Sequence, residues 1–156
     1  RQGQERAFGE ADDRLSDPRK LALALESGVT VIIAHLAASG QLDRTENFYH
    51  ALSMLDRYSN LYADISALTQ VNRRGYLFDA LDRALTARMV YGSDWPLQFF
   101  PLVSPWYQLP RADASALRQV AAIDNTWDRD VALKRAMGVP ESVFQRARTL
   151  LPVEGR

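Results

Sequence analysis

The sequence predicts an α/β fold in which parallel strands alternate with helices. Three short apolar segments recur along the chain, and they end at the polar residues His35, Asp64 and Asp94. These residues lie 29 and then 30 positions apart, which leaves room for a crossover helix between successive strands. Because such βα units give parallel strands with right-handed connections, we expect the three polar residues at one edge of one sheet. Ligands bind at that edge in open α/β sheets and in barrels.

Local signals define the first helix and the first strand. Asp17 and Pro18 supply an N-cap and a proline at the first helical position, and Gly28 supplies a C-terminal stop. We therefore predict a helix over about 18–27. The segment 29–35 is apolar and rich in β-branched residues, which is typical of a strand that is buried on both faces.

The remaining elements follow from the spacing of apolar residues and from proline and glycine. The segment 1–16 is rich in Gln, Glu, Asp and Arg and is predicted to be a loop. A second predicted loop, 97–110, is aromatic and interrupted by prolines. Apolar residues at three- and four-residue spacing predict helices, and short apolar runs predict strands. These signals place strands at about 60–64 and 88–92, and helices at about 45–58, 75–85, 114–123, 127–137 and 140–151.

The composition excludes several classes of protein. Lys plus Arg and Asp plus Glu both number 19, so the chain lacks the basic excess that is typical of a nucleic-acid binder. The absence of cysteine excludes disulfides, thiolate zinc sites and cysteine nucleophiles. The longest apolar run, 29–38, is about half as long as the roughly 20 residues that cross a bilayer. We therefore expect a soluble, cytoplasmic protein that binds neither nucleic acid nor membranes.

The ends of the predicted strands carry side chains that could act in catalysis. Asp94 lies in the segment GSDWP, where a carboxylate could ligate a divalent metal and accept a proton from metal-bound water. His35 precedes small residues that leave room for a ligand. The structural alternatives are that Asp94 and Asp64 cap turns and that His35 bonds a neighbouring carbonyl. The other histidine, His50, lies in a predicted helix without a partner at ligand spacing, so we expect it at the surface.

Four segments, in order along the chain, resemble the C-terminal part of amidohydrolase-related, metal-dependent hydrolases. They are DPRKL from residue 17, VTVIIAH from residue 29, NLYADIS from residue 60 and RMVYGSDWP from residue 88. The resemblance implies membership of the amidohydrolase superfamily, in the branch that includes aminocarboxymuconate semialdehyde decarboxylase. The implied fold is a (β/α)8 TIM barrel, of which this chain would hold the last three βα units and extra C-terminal helices.

The resemblance also implies roles for individual residues. His35 resembles the histidine at the end of the sixth strand of the family, which orients or polarises the metal-bound water and the substrate. Asp94 resembles the aspartate at the end of the eighth strand, which ligates the metal and serves as general base, while no firm role is implied for Asp64. We expect Trp95 to contact the substrate. The implied cofactor is a divalent metal, zinc or alternatively manganese, and the implied substrate is a small carbonyl or carboxylate compound that is hydrolysed or decarboxylated.

Departures from the family pattern predict that the chain is part of a barrel. It has no H-x-H pair, which supplies metal ligands on the first strand of the family, and its 156 residues fall short of the roughly 250 of a barrel. Its segment 1–5 resembles the loop after the fifth strand. We therefore expect this chain alone to be inactive and to bind the metal weakly. The alternative hypothesis is a non-catalytic α/β interaction domain that associates through exposed edge strands, and either form could be a homo-oligomer.

Overall fold

The computed structural model describes most of the chain in three stretches. The described residues are 16–96, 101–109 and 111–151. They belong to two compact units that divide after Asp64, and short strands and helices occur in both. The predicted loop over 1–16 lies outside the described residues except for Ser16, and so does part of the predicted loop 97–110.

The first unit begins with the helix that the sequence predicts between an aspartate and a glycine. A 3-10 helix over Pro18–Leu21 continues as helix α1 over Ala22–Glu26. The carboxylate of Asp17 accepts a hydrogen bond from the backbone N–H of Arg19 at 3.0 Å. Gly28 follows the helix with φ +84°, a conformation that favours glycine. The observed helix therefore lies within the predicted limits of about 18–27.

Strand β1, Val31–Ile33, is shorter than the predicted 29–35. The chain leaves the strand in a tight turn over Ala34–Ala37, so His35 follows β1 instead of belonging to it. The cause lies in the backbone, because residues 35–37 have φ values between 52° and 54°. This left-handed conformation cannot continue a strand.

A short hairpin follows this turn and was not predicted from the sequence. Strands β2, Gln41–Leu42, and β3, Thr45–Glu46, pair in antiparallel fashion. Asp43 and Arg44 join them with φ values of 51° and 64°, as a type I′ turn requires. Helix α2, Asn47–Arg57, therefore begins after the hairpin, slightly later than the predicted start at about 45.

Strand β4, Leu61–Asp64, completes the first unit and runs parallel to β1. The register places Val31 opposite Leu61 and Ile33 opposite Ala63. This pair confirms the predicted parallel arrangement for the first two strands. The buried apolar side chains of the unit include Leu25, Ile33, Leu36, Phe48, Ala51, Leu55, Leu61 and Ala63.

The second unit begins with a helix and a short strand. Helix α3 spans Arg74–Asp82, and Ala84, with φ +57°, separates it from a 3-10 turn over Leu85–Arg88. Strand β5, Met89–Val90, is buried and covers two of the residues predicted as strand. The left-handed Ala84 explains why the helix ends before its predicted limit, since that conformation does not continue a right-handed helix.

Residues 111–151 contain four short helices, in place of the three that the sequence predicts. Helix α4 is Ala114–Ala121, α5 is Thr126–Ala136, α6 is Glu141–Gln145 and α7 is Ala147–Leu150. The side chains of Asp113 and Asn125 each accept two backbone N–H groups and so cap α4 and α5. Gly138 ends α5 and Pro140 begins α6, as predicted, but the last predicted helix is divided at Arg146. No helix among the described residues has the length and apolarity to span a membrane.

Two glycines of the second unit form a matched pair that tests the helix stop. Gly138 has φ +95°, and Gly75 lies in α3; a Cβ at either position meets no atom within 4 Å. G138A should lower the free energy of unfolding by about 1 kcal/mol, because an L-residue is strained at positive φ. G75A should raise it by about 0.5 kcal/mol, since alanine favours a helix. Urea denaturation followed by circular dichroism measures both, and equal effects would contradict the helix stop at Gly138.

Candidate functional site

His35 lies in a left-handed turn directly after β1. Its φ and ψ are 54° and 29°, those of Leu36 are 53° and 27°, and Ala37 has φ 52°. This conformation costs a non-glycine residue roughly 1–2 kcal/mol. Such strain persists where the surrounding structure fixes the backbone, and it concentrates at functional sites. The turn is therefore a structural reason to regard His35 as functional.

The carboxylate of Asp64 contacts both the backbone and the ring of His35. Its Oδ1 accepts a hydrogen bond from the His35 backbone N–H at 3.0 Å. The same oxygen lies 3.8 Å from His35 Nδ1, and His35 is only 8% exposed. The structure thus brings together two of the three polar residues that follow the predicted strands, and it gives Asp64 a contact that the sequence did not indicate.

Asn47 contacts the segment that follows this turn. Asn47 is fully buried at the start of α2, and its Nδ2 donates to the carbonyl oxygen of Ser39 at 3.2 Å. Its backbone N–H donates to the carbonyl of Gly40 at 3.1 Å, and its Nδ2 also lies 2.9 Å from the hydroxyl of Ser16. Sequence reasoning missed Asn47, because an asparagine near the start of a helix is usually an exposed cap.

Asp94 lies in the second unit, beyond the end of β5. It has φ 51°, so this candidate residue also adopts the left-handed conformation, which aspartate tolerates better than most residues do. Trp95 follows it and is 66% exposed, with its backbone N–H 3.4 Å from the hydroxyl of Ser93. The predicted roles of Asp94 and Trp95 stay predictions.

A buried ion pair anchors Tyr91, which lies three residues before Asp94. Lys134 is fully buried, and its Nζ lies 2.5 Å from Oδ2 of Asp130. The Tyr91 hydroxyl donates to the same Oδ2 at 3.0 Å, and Lys134 Nζ lies 5.1 Å from the centroid of the Tyr91 ring. Burial, together with the charge and the hydrogen bond of Asp130, raises the pKa of the Tyr91 phenol far above its ordinary value. Tyr91 therefore remains a hydrogen-bond donor at neutral pH.

The backbone around β5 is held by the C-terminal helices. The N–H of Tyr91 donates to the carbonyl of Val143 at 3.1 Å. The guanidinium of Arg146 donates to the carbonyl of Thr86 at 2.7 Å and also to that of Met89. These contacts fix the strand from which the segment carrying the candidate aspartate emerges.

Sequence reasoning also missed the buried ion pair. Asp130 and Lys134 are four residues apart, and this spacing places them on one face of α5. Most such pairs lie on the surface, so the spacing alone indicates an ion pair but not its burial.

The described residues do not by themselves complete a metal site. Among them, no group of three or more His, Cys, Asp or Glu side chains is placed to hold a metal ion. A catalytic divalent metal usually takes about three protein ligands, and the described residues alone do not supply this ligand set. The other histidine, His50, is half-buried on α2 and so keeps part of its side chain at the surface, with Nε2 3.4 Å from the carbonyl oxygen of Leu42.

Comparison with known proteins gives one result. The family model described as Amidohydrolase matches residues 19–132 of the chain. This span contains His35, Asp64 and Asp94, and it agrees with the resemblance found in the sequence. No curated protein and no solved structure matches the chain significantly.

The buried ion pair and an exposed neighbouring pair provide a matched test of how β5 is anchored. K134M leaves Asp130 buried without its cation, and the loss of one partner of a buried pair costs roughly 3–5 kcal/mol. R135M removes the half-exposed pair of Arg135 with Glu141, which should cost less than about 1 kcal/mol. Urea denaturation measures both free energies of unfolding. A loss in K134M as small as that in R135M would show that the buried pair does not anchor Tyr91.

Proposed function

The chain belongs to the amidohydrolase family, and we propose that it carries part of the active site of a metal-dependent hydrolase or decarboxylase. The observation that carries the proposal is that the family match spans both candidate catalytic residues, His35 and Asp94. Their left-handed backbones support it, since strained conformations concentrate at functional sites. The proposed substrate is a small molecule that reacts at a carbonyl or carboxylate carbon.

His35 is proposed to orient the substrate and to transfer a proton at its imidazole. An imidazole can accept a proton at one ring nitrogen and donate a proton from the other, which suits it to acid–base catalysis. The carboxylate of Asp64, 3.8 Å from Nδ1, favours a proton on that nitrogen. The nitrogen proposed to exchange a proton with the substrate is therefore Nε2.

Asp94 is proposed as the general base. Asp94 follows β5, and the family resemblance assigns it two roles, general base and metal ligand. Zinc, or alternatively manganese, would supply Lewis-acid chemistry. The described residues alone do not complete the ligand set of such a metal, and the chemistry proposed for the side chains of His35 and Asp94 themselves is proton transfer. Trp95 is proposed to contact the substrate, which its large exposed fraction allows.

The test is turnover by the natural protein that contains this sequence. A panel of small amides, esters and carboxylic acids, with added zinc or manganese, would reveal hydrolysis or loss of carbon dioxide. D94N keeps the size of the side chain and removes the base, so we expect kcat/KM to fall by at least about 100-fold. H35Q should cause a loss of similar order, because general acid–base groups contribute about 100- to 10,000-fold.

The matched control for D94N is D43N. Asp43 has the same φ of 51° as Asp94 and lies exposed in the hairpin turn. D43N therefore makes the same change of side chain as D94N, at a residue with the same φ. We expect D43N to leave kcat/KM unchanged. Equal activities of D94N and D43N would remove Asp94 from its proposed role and would favour the non-catalytic interaction domain.

A further inference from the structure

We propose that Asp64 is a positioning residue that fixes both the backbone turn and the imidazole of His35. The relevance of this role to catalysis rests on the proposed function. The contacts between Asp64 and His35 are independent of it. Asp64 is the last residue of β4, and His35 is the second residue after β1. The two strands pair in parallel, so their ends lie side by side in the first unit.

The first contact, from the backbone N–H of His35 to the Asp64 carboxylate, takes the place of one backbone hydrogen bond between the parallel strands. The N–H of Val31 donates to the carbonyl of Asn60 at 3.0 Å. A parallel ladder repeats every two residues, so the same pattern would bring the N–H of His35 to the backbone carbonyl of Asp64. It meets the side-chain Oδ1 of Asp64 instead, at 3.0 Å. The carboxylate thus supplies an acceptor at the point where the chain leaves the ladder and enters the left-handed turn.

The second contact faces the ring. Oδ1 of Asp64 lies 3.8 Å from Nδ1 of His35, and the two side chains are largely buried, 19% and 10% exposed respectively. This distance is longer than a hydrogen bond, so the interaction is electrostatic. A carboxylate beside one ring nitrogen favours the tautomer with the proton on that nitrogen. A base oriented by a third group is a common arrangement in enzyme sites.

The far side of the turn is held independently. Asn47 donates to the carbonyls of Ser39 and Gly40, so the segment from residue 35 to 40 is fixed at both ends. With the backbone held in this way, a change at Asp64 that spares the backbone hydrogen bond should leave the turn in place and alter the charge beside the ring. The two contacts of Asp64 can therefore be separated by substitution.

The 156-residue chain has two histidines, so imidazole nuclear magnetic resonance reports on His35 with His50 as an internal reference. D64N keeps a side-chain oxygen that can accept the His35 N–H but removes the charge beside Nδ1. D64A removes both contacts. D56N changes an exposed carboxylate on α2 and serves as the matched control.

In the unaltered chain we expect long-range ¹H–¹⁵N spectra to show His35 with its proton on Nδ1. D64N should move His35 toward the tautomer with the proton on Nε2 and leave the exchange rate of the His35 backbone amide unchanged. D64A should accelerate that exchange by about tenfold, as expected for the loss of one hydrogen bond. D56N should change neither quantity, and His50 should be the same in all four proteins.

An unchanged tautomer in D64N would overturn the orienting role, because a residue that only stabilised the turn would leave the ring unaffected. Unchanged amide exchange in D64A would overturn the backbone role. Neither spectrum depends on turnover. A tautomer shift in D64N together with full activity of D94N would therefore reject the proposed function while supporting the contact of Asp64 with His35.

Discussion

The parallel pairing of β1 with β4 is the constraint on which the candidate site of the first unit depends. The register, with Ile33 opposite Ala63, carries the N–H of His35 to Asp64. Both residues of that opposed pair are buried, so the apolar core selects the register. A slip of one residue would turn the side chains of a strand to the opposite face and remove the contact. Core packing and the polar site are thus two consequences of one alignment.

The left-handed turn shows how the surroundings support a strained conformation. Its three residues each cost roughly 1–2 kcal/mol. Hydrogen bonds to Asp64 and from Asn47 offset part of this cost, since each contributes about 1 kcal/mol. Leu36 is fully buried, and burial of a leucine side chain contributes roughly 1.5–3 kcal/mol. The contributions are of comparable size, so the turn can persist without glycine.

Each unit uses a carboxylate to hold the chain near the end of a strand, but the partners of the two carboxylates differ. Asp130 is paired with Lys134 and accepts the Tyr91 hydroxyl, and a buried charge requires such pairing. Asp64 instead faces the imidazole of His35, which can accept a proton at one ring nitrogen and donate a proton from the other. The buried pair of Asp130 and Lys134 is suited to anchoring. The imidazole beside Asp64 is suited to proton transfer, so Asp64 and His35 are the better candidates for function.

The sequence by itself determined where most of the helices and three of the strands lie, the caps at Asp17 and Gly28, and the family. These features depend on residues that are near one another along the chain or on motifs in a fixed order. Only the tertiary structure decided the left-handed turn and the contacts of the polar side chains. Asp64 lies 29 residues from His35, and Lys134 lies 43 residues from Tyr91. No local pattern reports such pairings, since the energies that favour them arise only when folding excludes water from both partners.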